Sequence, residues 1–486
     1  MISQPSPPRG RALARAAGAI CLLALLLEPA GASASRSQET IFDATSALFA
    51  ASPAERKARL NELDSLGVDT VRIVLGWRSV APSPGRSRRP AGFNPADPRD
   101  YPRRAFASLD AIVRGAAVRR MRVLLAPSSP FPDWATRSGR SRLADPIPAE
   151  LRRLFAALGR RYSGHFRPSQ GAASPLPRIR RWSALNEPNQ AIFLRPQYRR
   201  GRPYSPRLYR RLFLAAQKGL ARAGHGNDLL LIGETAPSGG RTGVDPIPFL
   251  RGVLCLDASF RRRPGCAPIR AHGWAHHPYS LGLAPFRSSP NPGLVNLAEI
   301  GRLHTALRRA AAARATSRRL PVYITEYGVQ TRPDRRFGVS LARQVVYLAA
   351  SEFLAWRDPR IRSYAQYLLH DDPPHFEFSF TTGLRLNSGR AKPSRRSFPI
   401  TMLVRRVGRR SVRIWGHVRP DQGPFPVEVR QRTGPGPSAM LRRLRTDRRG
   451  YFSFRSRYRA GRRWSAESRL PGGRSLAGPY VGALRF

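Results

Sequence analysis

The chain has 486 residues, 41% of them hydrophobic and seven of them tryptophan, with a formal net charge of +55. That length exceeds one ordinary domain, and that apolar content excludes disorder as the default state. So high a charge invites a nucleic-acid reading, but all of the 85 basic residues except Lys57, Lys218 and Lys392 are arginines, and they are spread along the whole chain. The expectation is therefore no specific nucleic-acid partner: the charge reads as solvated surface arginine set by base composition, with non-specific contact to anionic cell-wall polymers or acidic glycans as the alternative.

Residues 1–34 read as a secretory signal. Arg9, Arg11 and Arg15 give a positive start, residues 16–27 an apolar run too short to span a bilayer, and Ala32-Ser33-Ala34 a small-residue cleavage motif. No second apolar stretch of spanning length follows. The mature chain is expected to be exported, extracellular, free of the membrane and monomeric. Cys21 leaves with the signal. Cys255 and Cys266 remain, an even number in an oxidising compartment, and are expected to form a disulfide.

Beyond the signal, strand-like and helix-like segments alternate, as parallel strands with crossover helices do. Residues 40–49 supply a first strand. Ser52-Pro53-Ala54-Glu55 then starts a helix, with Ser52 as cap and Glu55 reaching back to it. Further strands are expected at 68–77, at 121–127 after an amphipathic stretch near 101–119, and at 179–185, 229–233, 269–275, 321–325 and 362–369. Eight such units over residues 35–399 predict an α/β fold, a (β/α)8 TIM barrel. The open doubly wound alternative would carry a glycine-rich phosphate turn after its first strand, and none is present. From about Thr401 the texture changes to short alternating strands, 411–417, 426–431 and 451–455, between Gly- and Pro-rich turns. Residues 400–486 are expected to form a small all-β sandwich.

Two glutamates end apolar strands, Glu187 in Trp182-Ser183-Ala184-Leu185-Asn186-Glu187-Pro188 and Glu326 in Val322-Tyr323-Ile324-Thr325-Glu326-Tyr327-Gly328. Barrel chemistry sits just past the C-terminal ends of the strands, so both point to one site. Cleaving a glycosidic bond needs such a pair: one carboxylic acid protonates the leaving oxygen, and the other attacks the sugar or activates water. Asn186 is placed to hold a substrate hydroxyl, and Tyr279 or Tyr327 to hydrogen-bond Glu326. Strand parity puts Ala271, Gly273, Ala275 and His277 on one face, with His277 inward and Tyr279 just beyond. His272 and His276 fall on the other face and read as structural. Glu234 is a third strand-end glutamate, which lines the cleft or competes with Glu326. Trp77 and Trp134 are candidates for stacking on sugar rings, with core packing as the alternative. No metal site and no cofactor is expected, since no histidine or cysteine spacing matches a closed site.

In chain order, Asp69-Thr70-Val71-Arg72 with Trp77-Arg78-Ser79-Val80-Ala81-Pro82, then Pro132-Asp133-Trp134-Ala135, Trp182 through Asn189, His277-Pro278-Tyr279 and Ile324-Thr325-Glu326-Tyr327-Gly328 resemble the motifs of glycoside hydrolase clan A. That clan comprises barrels such as families 5 and 39, and the resemblance covers most of residues 40–399. It implies a retaining glycosidase acting on a β-linked carbohydrate, with Glu187 as acid/base and Glu326 as nucleophile, their carboxyl groups about 5–5.5 Å apart. It also implies Arg72 beside the nucleophile, favouring its ionised form. Where many clan members carry a tryptophan after strand eight, this chain offers Tyr367, His370 and Asp371. The C-terminal segment, through Val412-Arg413-Ile414-Trp415-Gly416-His417-Val418 and the stretch around Tyr451, resembles bacterial immunoglobulin-like or carboxypeptidase-regulatory-like sandwiches. Its two readings are a spacer and a glycan binder, with Trp415 and Trp464 as core or platform. The alternative function for the whole is a barrel that binds carbohydrate or cell wall without turning it over.

Overall fold

The computed structural model describes residues 35, 38–169, 171–374, 379–420 and 422–486. The expected signal and Cys21 lie outside the described residues.

Eight parallel strands form the first unit: β1 (Glu39–Asp43), β2 (Thr70–Gly76), β3 (Arg122–Ser128), β4 (Arg181–Ser183), β5 (Leu229–Thr235), β6 (Gly273–His276), β7 (Val322–Ile324) and β8 (Ser363–Gln366). They run in the order β8-β1-β2-β3-β4-β5-β6-β7. A single parallel bridge between Val322 and Ile361 nearly closes the ring. This is the expected (β/α)8 barrel. Its helices are α1 (Thr45–Phe49), α2 (Pro53–Ser65), α3 (Ala107–Val118), α4 (Pro148–Arg161), α5 (Ser205–Arg222), α6 (Pro246–Val253), α7 (Ile300–Ala312), α8 (Leu341–Arg357) and the short α9 (Pro393–Ser397). The Ser52–Glu55 capping box starts α2, with Pro53 in its first turn, as the sequence predicts.

Several strands are shorter than expected, for local reasons. The first stops at Asp43, whose carboxylate accepts from Thr45 N (3.1 Å) and turns the chain into α1. The fourth stops at Ser183, because Leu185 takes a left-handed φ of +62° and Asn186 N is drawn to Ser128 Oγ (2.9 Å). Cys255 and Cys266 are joined by a disulfide, as expected.

The antiparallel strands that follow are β9 (Ile400–Arg406), β10 (Ser411–Val418), β11 (Pro426–Thr433), β12 (Ala439–Arg445), β13 (Tyr451–Arg457), β14 (Arg462–Arg469), β15 (Ser475–Ala477) and β16 (Val481–Gly482). One sheet runs β9-β10-β13; the other runs β12-β11-β14-β15, with β16 also on β14. Val404, Ile414, Val427, Val429 and Trp464 fill the space between them. Trp415 and Trp464 are both buried, at 1% and 0% exposure, so both are core and neither is a platform.

The sandwich is fused to the barrel along α8. Val345 of that helix belongs to the sandwich core, and Phe353 and Trp356 meet Trp415 at ring-centroid distances of 5.5 and 5.6 Å. Amid these rings the buried Glu352 accepts from His417 Nδ1 (2.6 Å) and Arg419 Nη2 (2.7 Å). Arg419 also reaches Thr40 Oγ1 on β1 (3.3 Å) and Thr401 Oγ1 on β9 (3.0 Å). Gly67, at φ +75°, makes room for it: a Cβ there would lie 2.4 Å from Arg419 Cβ. Burial works against the Glu352 charge, but Arg419 and His417 outweigh it and hold the carboxyl at about 2.

Breaking one partner of a buried ion pair strands the other charge. Glu352→Ala should therefore cost about 3–5 kcal/mol, read as a fall in the urea midpoint at unchanged slope. A loss below about 0.5 kcal/mol would show that the junction does not depend on this ion cluster.

Candidate active site

The site lies at the C-terminal ends of the barrel strands and is built around Arg72. Its side chain points into the barrel from β2 and has no solvent exposure. Nη1 donates to Asp43 Oδ2 at the end of β1 and to Glu326 Oε1 just past β7 (2.6 Å). Nη2 donates to Asn186 Oδ1 (2.7 Å) and to Glu234 Oε2 on β5 (2.6 Å). An arginine suits this position because its planar fork presents donors in several fixed directions, which a lysine does not.

The second hub is His277, also with no exposure. Its Nδ1 lies 2.8 Å from Glu187 Oε1 and 3.6 Å from Glu326 Oε2, and its Nε2 lies 2.8 Å from Glu234 Oε2. Oxygens of Glu187 and Glu326 and a ring nitrogen of His277 all fall within 4.8 Å of one another. Tyr279 donates to Glu326 Oε2 at 3.0 Å. Tyr327 does not reach Glu326; its hydroxyl pairs with Ser280 (3.3 Å) while its ring stacks on Tyr279 (6.1 Å).

Local backbone aims these groups. Glu187 and Glu234 take left-handed φ values of +38° and +50°, a strain that surrounding contacts must hold in place. The register of β5 against β6 shifts between Gly233 and Thr235, which turns Glu234 inward. A Cβ on Gly233 (φ +109°) would meet Ala275 O at 2.7 Å, so the shift needs glycine.

The electrostatics separate the glutamates. At Glu234, burial favours the neutral form, but Arg72 and His277 prevail and hold the carboxyl at about 2. At Glu326, burial is again the largest influence and is aided by the charges of Asp43 and Glu187. His277 and Arg72 oppose it without overcoming it, and the carboxyl is raised to about 7. Burial would discharge His277, but Glu326, Glu187 and Glu234 raise it to about 10. The side chains of Glu187 and Glu326 keep 16% and 9% exposure, so the two reach the mouth while the ions beneath them stay dry. A metal could find Glu187, His277 and Glu326 close enough to share. Both ring nitrogens of His277, however, are already engaged, each 2.8 Å from a glutamate oxygen.

The structure thus brings together Glu187, Glu326, Arg72, Asn186, His277 and Tyr279 of the residues expected from sequence. His276 is structural as expected, bonded to Thr235 Oγ1 and Val295 O (both 2.8 Å). Two expectations need correcting. Trp77 and Trp134 do not line the cleft as stacking platforms. They are 0% and 4% exposed and pack edge-to-face against each other (5.5 Å), with Phe131 and Phe93 closing over them. Trp134 Nε1 is spent on Pro82 O (3.1 Å). Of the three candidates after strand eight, Tyr367 stands at the site, edge-on to Tyr279 (6.3 Å). Asp371 is instead bonded to the buried Lys392 (2.7 Å). Asp43 was missed, and its signal was slight: a single acid closing the first strand beside Arg72.

No protein-family model and no curated protein matches the chain. Among solved structures, a family 39 glycoside hydrolase from the gut symbiont Bacteroides cellulosilyticus WH2 is similar at 15% identity, over 88% of this chain and 80% of that one, with a TM-score of 0.49. GH5_18 from Streptomyces cattleya in complex with GlcNAc is similar at 18% identity, over 74% and 79%, with a TM-score of 0.47. A β-glucosidase from Thermotoga maritima in complex with cyclophellitol is similar at 15%, over 71% and 84%, with a TM-score of 0.45. Likenesses this distant assign no function, and the functional reading rests on the site's own geometry.

Arg72→Lys would keep the charge but lose the fork that reaches four partners. It should destabilise the fold by about 1–3 kcal/mol, the cost of leaving buried acceptors without their hydrogen bonds while the charge remains. Chemical denaturation of the two proteins at neutral pH measures it, and an unchanged midpoint would show that Arg72 does not organise the site.

Proposed function

We propose that the chain is an exported retaining glycosidase that hydrolyses β-linked poly- or oligosaccharides by double displacement. The observation that carries this reading is the approach of Glu187 and Glu326: an oxygen of each lies within 4.8 Å of the other. That suits a nucleophile and an acid/base on either side of one anomeric carbon. A single nitrogen, His277 Nδ1, also lies 2.8 Å from Glu187 Oε1 and 3.6 Å from Glu326 Oε2, so the two carboxyls converge on one point. Export is supported by the leader-like pattern of residues 1–34 and by the Cys255–Cys266 disulfide.

In the first step Glu187 protonates the departing sugar oxygen while Glu326 attacks the anomeric carbon, forming a glycosyl ester. In the second, Glu187 takes a proton from water, whose oxygen displaces Glu326. Arg72 and Tyr279 address the two oxygens of Glu326, and so hold the attacking carboxylate in place and recover its charge when the ester breaks. Arg72 also fixes the amide of Asn186, one residue before the acid/base, for contact with a sugar hydroxyl.

Glu326→Ala should abolish hydrolysis of aryl β-glycosides without unfolding the protein. A fluoro-sugar inactivator should leave a covalent adduct that peptide mapping finds on Glu326. Full activity in that variant would sink the assignment, and tight glycan binding with no turnover in the wild type would favour the non-catalytic alternative.

The reaction should also depend on pH in a predictable direction. Glu326 must be ionised to attack, and its carboxyl is raised to about 7. kcat/KM should therefore fall as pH drops through about 7, close to tenfold per unit below it. Asp43 contributes to that rise by its negative charge, so Asp43→Asn should move the acidic limb to lower pH. A limb near the ordinary carboxylate range in the wild type would contradict this.

A further inference from the structure

The double displacement uses Glu187 and Glu326 and gives no step to the third glutamate of the site. Glu234 is fully buried, and its Oε2 is the point where three donors converge: Arg72 Nη2 (2.6 Å), His277 Nε2 (2.8 Å) and Thr325 Oγ1 (3.2 Å). The His277 ring spans from this oxygen to Glu187 Oε1 (2.8 Å), with Glu326 Oε2 3.6 Å from the same Nδ1. Both ring nitrogens therefore face carboxylate oxygens, which only accept while ionised. A neutral imidazole has one N–H and one lone pair, and the lone pair would face a carboxylate. A neutral ring fits only while Glu187 itself carries the proton shared with Nδ1; once Glu187 is ionised, as it becomes when the leaving oxygen is protonated, only the doubly protonated ring satisfies both contacts.

We propose that Glu234 is a positioning residue that holds His277 as an imidazolium, a fixed positive charge whose Nδ1–H serves whichever of Glu187 and Glu326 carries the negative charge. This rests on the reading of those two as catalytic. In the free enzyme the attacking charge is on Glu326. When the glycosidic C–O bond breaks, a Glu326 lone pair forms the ester, the proton of Glu187 passes to the departing oxygen, and the charge is now on Glu187. The water step returns it: one water proton goes to Glu187, the water oxygen bonds the anomeric carbon, and Glu326 leaves as a carboxylate. His277 neither gains nor loses a proton in the cycle. It faces Glu187 from beyond β4, Glu234 from β5 and Glu326 from beyond β7, with Arg72 of β2 on the far side of Glu234 and His276 next to it on β6. The three carboxylates raise it to about 10 against the effect of burial, while its neighbour His276 is driven down to about 4 by burial.

Glu234→Gln is the informative change. A glutamine amide can donate to Nε2 of a neutral ring, so the ring keeps its place and its bond to Glu187 while losing its charge. The probe is protein carrying ring-15N histidine, with His277→Gln used to identify the His277 signals by NMR. At about pH 8 the wild-type ring should carry protons on both nitrogens, and the Glu234→Gln ring on one only. A neutral ring in the wild type overturns the proposal, whether or not the variant folds. An imidazolium unchanged in Glu234→Gln overturns it as well. This measurement uses no substrate, so it succeeds or fails independently of the glycosidase reading. On substrates, Glu234→Gln should lose about tenfold more kcat/KM on phenyl than on 2,4-dinitrophenyl β-glycosides, because only the poorer leaving group demands the proton of Glu187. Equal losses on both would show that Glu234 merely supports the structure.

Discussion

The guanidinium of Arg72 has no contact with solvent, and taking an ion out of water costs several kcal/mol even after a protein relaxes around it. Asp43, Glu234 and Glu326 offset that cost together, and each is itself an ion that burial disfavours. The four groups come from β1, β2, β5 and the end of β7, so no one of them is stable in its place until the ring of strands has brought the others. The site and the near-closure of the barrel are in this sense one event. Arg72 is also the reason the acids share a small volume: without a buried cation, their mutual repulsion would open the mouth.

A common cation does not make the acids alike. Glu234 is bonded directly to both Arg72 and His277 and stays ionised, while Glu326 is left with a high proton affinity. Two glutamates a few ångströms apart thereby become an inert counter-ion and a responsive carboxyl, a division made by hydrogen-bond geometry, since residue type is the same. The rim follows the same logic. Glu187 and Glu326 are the two that reach the mouth, with 16% and 9% of their side chains exposed.

Much of this could be read in the chain before any coordinate. Apolar strands ending in Asn186-Glu187 and Thr325-Glu326, and the parity that turns His277 inward, are local patterns, and a barrel converts strand ends into neighbours. What escaped was whatever depends on which neighbour arrives. Trp77 and Trp134 look the same in sequence whether they stack on sugar or on each other, and only the arrival of Phe93 and Phe131 decides. Asp43 closes an unremarkable strand until Arg72 is set beside it. The role of Glu234 depends on a one-residue shift between β5 and β6, which Gly233 permits but does not announce. Strand lengths were overestimated because a side chain such as Asp43 or Ser128 can end a ladder that the apolar pattern would continue.

The attachment of the sandwich along α8 has a consequence for what that module can be. Helix α8 supplies Val345 to the sandwich core and Phe353 and Trp356 to the junction, with the ionised Glu352 among them. A tethered module swings on a linker and fishes for polymer at a distance from the catalytic mouth. This one is grafted to the barrel wall as an inner partition is to a hull, so cutting the chain near residue 399 would not yield two proteins. It would leave a barrel with an aromatic scar and a homeless charge, and a sandwich missing part of its own interior.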